Sequence, residues 1–208
     1  ARRVMIVLVG MRDPGLVIGA THRVLGGMRD YSLDRFLESA VNWFVFHEVA
    51  DGLEGLSNQL ELEGESATAN SMGFYDFASG RAFLGAPKRP DPLAEDMPDT
   101  SEAWRTLDVA IIQHLLVEKI CQPRMNGGEE VSWAFPHTIE EVRAIGEGAE
   151  RGSGGGSSFS PQLAVIVRPT PLESVRAVSN AGELMPQKST FFYPKLATGL
   201  FMNPLEPR

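Results

Sequence analysis

Hydrophobic positions along the chain change period repeatedly, and each change predicts an element. The continuous run Val4-Met5-Ile6-Val7-Leu8-Val9 reads as a buried strand. Asp13-Pro14-Gly15 is a turn, and Leu16-Val17-Ile18 is a second short apolar stretch leading into Thr21-His22-Arg23. Ser32 can cap a helix in which Leu33, Phe36, Leu37, Ala40, Val41 and Phe44 recur at steps of three and four. That spacing predicts one helix carrying Trp43, Phe46 and His47 near its end and closing at Asp51-Gly52. Leu56 to Leu62 fits a short helix, and residues 71–85 read as a hairpin turning at Ala78-Ser79-Gly80. The proline- and acid-rich stretch from Pro87 to Asp99 reads as a surface loop.

The second half alternates more plainly. Thr106 to Cys121 predicts a helix that is apolar over a broad arc, and Val131 to Phe135 alternates like a strand. Thr138 with Glu141 has the spacing of a capping box for a helix reaching about Gly148. Gly152 to Ser158 is a flexible glycine/serine loop, lacking the Lys-Ser/Thr ending of a phosphate loop. Leu163 to Val167 is a buried strand, and Thr170-Pro171-Leu172-Glu173 opens a helix with cap, first-turn proline and reciprocal Glu, ending at Ala181-Gly182. Thr190 to Tyr193 and Gly199 to Met202 are strand-like. Without a clean βαβ repeat, the pattern predicts an α+β fold: a mixed sheet with helices packed on it, in a single domain. A loop boundary could fall near residues 86–105.

Composition narrows the function classes. The 208 residues are 43% hydrophobic and 22% charged, ordinary for a globular protein. The formal charge is −8, and no Lys/Arg cluster supplies the basic face that binding nucleic acid requires. No apolar run reaches the roughly 20 residues that span a bilayer. Cys121, the only cysteine, excludes an intramolecular disulfide and agrees with a reducing cytoplasm. Its apolar setting reads as a core position. Beginning directly with a core strand and no initiating Met, the chain looks like a piece of a longer one.

Two constellations could carry chemistry. Thr21-His22-Arg23 sets a hydroxyl, an imidazole and a guanidinium at a strand end, suited to phosphate or carboxylate and to proton transfer near neutral pH. The plainer alternative is a strand end whose Arg pairs with a surface acid. Gln187-Lys188-Ser189-Thr190 follows a helix end and two turn residues, so Lys188 could neutralise an anion while Ser189 and Thr190 add hydroxyl bonds. The alternative there is a polar loop entering the aromatic strand Phe191-Phe192-Tyr193. The four histidines are scattered, and no metal site is predicted.

Four stretches, taken together, resemble a known family. They are Asp13-Pro14-Gly15-Leu16 with Thr21-His22-Arg23; Leu107-Asp108-Val109; Arg168-Pro169-Thr170-Pro171; and Gly182-Glu183 through Met185 to Lys195 with Gly199-Leu200. In this order they resemble the C-terminal half of the domain-of-unknown-function 1015 family of bacterial and archaeal proteins. Gly19-Ala20 stands before Thr21 where a proline is expected. The resemblance implies a missing N-terminal half with a box similar to phosphate-cradling sequences of the ParB/sulfiredoxin-like group; no residue here matches that box. It further implies a protein that handles phosphate or nucleotides, extending to small-molecule phosphotransfer, with a nucleotide as the candidate ligand. His22, Arg23, Lys188, Ser189 and Thr190 would then contact a small anionic ligand. The alternative is a non-catalytic binding or scaffold domain whose 185–195 segment packs against the missing half or a second copy.

Overall fold

The computed structural model describes residues 8–10, 13–63, 70–148 and 159–195. Its centre is a six-stranded antiparallel sheet. The strands are β2 (Arg23–Gly26), β3 (Phe44–Val49), β4 (Met72–Asp76), β5 (Ala82–Pro87), β6 (Ser132–Ala134) and β7 (Pro161–Ile166), in the spatial order β3-β5-β4-β7-β2-β6. A separate two-stranded ribbon pairs β1 (Val17–Gly19) with β8 (Phe191–Tyr193).

Side-chain alternation along the strands makes two cores. In β2 and β7, Leu25, Leu163 and Val165 pack with α1 (Leu33–Ala40) and with Phe44, Phe74 and Ile111 on one face. Val24, Ala164 and Ile166 pack on the other face with α2 (Gly52–Glu63) and α6 (Ile139–Gly146). Gly73 on β4 lets α2 sit close: a Cβ there would lie 2.7 Å from the Leu56 side chain. Phe36, Phe44, Phe46 and Phe74 form an aromatic group with ring centroids 5.2–5.9 Å apart.

After α3 (Glu102–Arg105), the central helix begins as α4 (Asp108–Ala110), widens into a π-helical stretch, Ile111–Cys121, and closes as α5 (Gln122–Met125). Its buried pairs Ile111/Ile112, Leu115/Leu116 and Ile120/Cys121 recur every four to five residues. That period suits the wider i→i+5 turn better than 3.6. Cys121 is fully buried and its thiol is pushed up to about 12 by burial.

The helix expected from Ser32 to Asp51 is a correction. It ends at Ala40, and Phe44–Val49 is a strand paired along its whole length with β5. Phe44 and Phe46 serve both periods, but as alternate residues of a strand they reach Phe74 across the sheet. Of the expected first strand, residues 4–7 lie outside the described residues, and Leu8 and Val9 are exposed and outside any strand. The 152–158 loop and the 199–202 strand also lie outside the described residues. The hairpin, the loop after Pro87 and the strand at 161–166 stand as expected, and the loop lays Leu93 wholly inside the core. α7 (Leu172–Asn180) completes the chain before the ribbon. No helix among the described residues is long and apolar enough to cross a membrane.

Candidate functional site

Antiparallel pairing brings four strand ends to one edge of the sheet. Asn70 precedes β4, Arg168 follows β7, His22 precedes β2 and His137 follows β6, and these four strands are consecutive neighbours. The ladder extends past β2, where the His22 backbone N–H donates to the Pro136 carbonyl at 2.8 Å. These residues open into a cavity of about 1570 Å³, walled by α2, by the start of α6 and by Arg168-Pro169-Thr170-Pro171 before α7. Ligand pockets commonly span roughly 300–1,000 Å³, so this one has room for a nucleotide-sized molecule.

His22 is 6% exposed. Its Nδ1 accepts the Val167 backbone N–H at 3.2 Å, which leaves the ring proton on Nε2. Burial first, then the charges of Arg23 and His137, lower its pKa to about 4 against a smaller opposing effect of Glu141. The imidazole is therefore neutral near pH 7. His137 lies face to face with Phe191, centroids 3.8 Å apart, and its Nδ1 meets the Ala20 carbonyl at 3.2 Å. Asn70, held at φ 61°, donates to the Thr106 carbonyl and to Asp108 Oδ1 at 2.6 and 2.7 Å. Burial raises the pKa of the Asp108 carboxyl, opposed by the Asn70 bond and the Arg168 charge.

Of the five residues expected to form the site, His22 alone lines this cavity. Arg23 points the other way along β2, as alternation requires. It is 4% exposed, donates to the carbonyls of Thr21 (2.5 Å) and Lys188 (3.0 Å), and sits 5.2 Å from the Phe135 ring centroid. Burial lowers its pKa to about 10. Lys188, at φ 60°, holds its ammonium 5.8 Å from the same ring. Ser189 is buried, its hydroxyl donating to the Pro186 carbonyl. Thr190 leads into β8. Arg23, Lys188 and Ser189 are thus brought together as a brace behind the cavity wall, and the β1–β8 pairing aligns them.

Thr170 ties the brace to the cavity. The sequence places it as the cap of α7, but its hydroxyl donates instead to the Ser189 carbonyl at 2.8 Å. α7 accordingly has Pro171 at its cap position and no side-chain cap, and Pro171 and Ser174 line the cavity. An uncapped helix N-terminus presents amide donors and the positive end of the helix dipole. α6 is capped as expected by Thr138, whose Oγ1 accepts from Glu141 N–H at 3.2 Å; the Glu141 carboxylate, however, reaches the His137 N–H rather than the cap residue's own.

Residues 1–110 match the family described as protein of unknown function, DUF1015. The chain belongs to this family. No curated protein and no solved structure matches it. For this DUF1015 member, three of the four stretches that carried the resemblance meet at the cavity, through His22, Leu107-Asp108 and Arg168 to Pro171. The fourth supplies the brace. Sequence reasoning missed Asn70, Asp108, His137 and Arg168 as site residues. Asp108 and Arg168 lay within those stretches, whereas Asn70 and His137 carried no local pattern.

Proposed function

We propose that this protein binds a small phosphate-bearing molecule, a nucleotide or similar compound, in the cavity at the sheet end. The observation that carries the reading is His22: a buried, neutral ring on the cavity wall, its Nε2–H without a partner among the described residues. A ring N–H with no protein partner on a cavity wall is available to a ligand oxygen, which would take the place of water there. The start of α7 and Arg168 border the same space, which Glu54, Glu61, Asp108 and Glu140 also line; a helix N-terminus there favours an anion. Small-molecule phosphoryl transfer is the reaction this supports, since its catalysis rests on positioning and charge stabilisation. The brace then acts at one remove, by holding the Thr170 turn against Ser189.

A non-catalytic reading has one observation in its favour. Val17 and Tyr193, cross-strand partners on one face of the β1–β8 ribbon, are 54% and 58% exposed, an apolar pair suited to a second copy or further chain. The two separate in solution. A panel of nucleotides, pyrophosphate and phosphate, scored by thermal shift, is expected to include a ligand that raises Tm by roughly 5 °C or more at a hundredfold excess over Kd. No shift with any member, together with a dimer abolished by Tyr193→Ala, would support the interface instead.

A further inference from the structure

His22 and His137 stand on adjacent strand ends and both line the cavity. Each ring is held through Nδ1, but in opposite senses. His22 Nδ1 faces the Val167 N–H at 3.2 Å. A backbone amide only donates, so this nitrogen holds a lone pair and Nε2 carries the proton. His137 Nδ1 faces the Ala20 carbonyl at 3.2 Å, with Thr21 Oγ1 at 3.3 Å. A carbonyl only accepts, so here Nδ1 carries the proton, and Nε2 holds a lone pair whenever the ring is uncharged. The stack on Phe191, with planes 21° apart, fixes the plane of the His137 ring. The pair therefore offers one donor and one acceptor to the same space.

The dianion of a phosphate monoester has only acceptor oxygens on its phosphoryl group. It satisfies His22 and is repelled by the His137 lone pair. A hydroxyl beside another oxygen satisfies both rings. We infer that His22 and His137 together recognise a vicinal diol, one hydroxyl donating to His137 Nε2 while the neighbouring oxygen accepts from His22 Nε2–H. This rests on the reading of the cavity as a ligand site and narrows its substrate class to polyhydroxylated compounds, such as sugar or polyol phosphates and ribonucleotides.

The test compares glycerol 3-phosphate, n-propyl phosphate and ribose by titration calorimetry, alongside imidazole ¹⁵N shifts from two-bond ¹H–¹⁵N correlation spectra. In the free protein His22 should appear as the Nε2–H tautomer and His137 as Nδ1–H. Glycerol 3-phosphate should shift both Nε2 signals and bind about tenfold or more tightly than n-propyl phosphate. His137→Phe, which keeps a ring on Phe191, should bring that ratio to about one. Equal affinities in the wild type would overturn the diol inference and leave the phosphate reading standing. Ribose binding without n-propyl phosphate binding would support the diol and sink the phosphate reading. Binding of none of the three would overturn both. A His137 ring found as Nε2–H contradicts the inference without any variant.

Discussion

The cavity wall around His22 and the brace around Arg23 begin one residue apart, contain similar polar groups, and use them in opposite ways. Strand alternation sends His22 to the α2/α6 face and Arg23 to the other. On the brace side, the guanidinium and the Ser189 hydroxyl end on backbone carbonyls, and the Arg23 charge lies buried beside the ring of Phe135. On the cavity side, His22 and His137 each use Nδ1 on a backbone group, and both residues line the cavity. A cationic, hydroxyl-rich segment can therefore spend its donors on the backbone rather than offer them to a ligand.

The comparison breaks most visibly at Arg23. Arg23→Ala strips the Lys188 and Thr21 carbonyls of a buried charged donor and is expected to lower stability by roughly 3 kcal/mol in urea unfolding. A loss below about 1 kcal/mol would mean the brace is not structural. His22 sharpens the comparison through pH. Its folded pKa, about 4, lies below the ordinary imidazole value of 6.5. Below pH 6.5 the unfolded chain takes up a proton that the folded chain refuses, so stability conferred by the neutral ring is complete above pH 6.5. It falls as pH drops toward 4, by on the order of 3 kcal/mol in total. His22→Asn offers an amide oxygen to the Val167 N–H and lacks the titrating ring; it should flatten that slope in unfolding measured between pH 4 and 7. An unchanged slope would place the titration elsewhere. The smallest expected effect is Thr170→Val, which removes the tie to Ser189 and should cost about 1 kcal/mol in thermal unfolding. A gain in stability would show that the hydroxyl was needed at neither end.

Where local pattern and tertiary demand agree, the sequence was readable. The 71–85 hairpin, the Thr138 cap and the 161–166 strand each form as their residues prescribe. Where they conflict, long-range packing decides. Phe44 and Phe46 fit a helix by spacing but belong to β3 because Phe74 and β5 wait across the sheet. Thr170 has the look of a cap, yet a carbonyl 19 residues onward takes its hydroxyl. The site was half legible for the same reason. His22 was visible as a strand-end imidazole, but its partners come from Asn70, Asp108, His137 and Arg168. Asn70, His137 and Arg168 become neighbours only through the order β4-β7-β2-β6, and Asp108 joins them from α4 through its bond with Asn70.

The most direct test of the division between cavity and brace is ligand stabilisation in a matched pair of variants. His22→Asn removes the Nε2–H from the cavity, whereas Lys188→Ala removes an exposed ammonium on the brace side and keeps the carbonyl that Arg23 holds. With whichever phosphate ligand stabilises the wild type, His22→Asn should weaken affinity about tenfold and Lys188→Ala by less than about twofold. The reverse order, with Lys188→Ala losing the ligand and His22→Asn keeping it, would place the site on the brace and contradict the account.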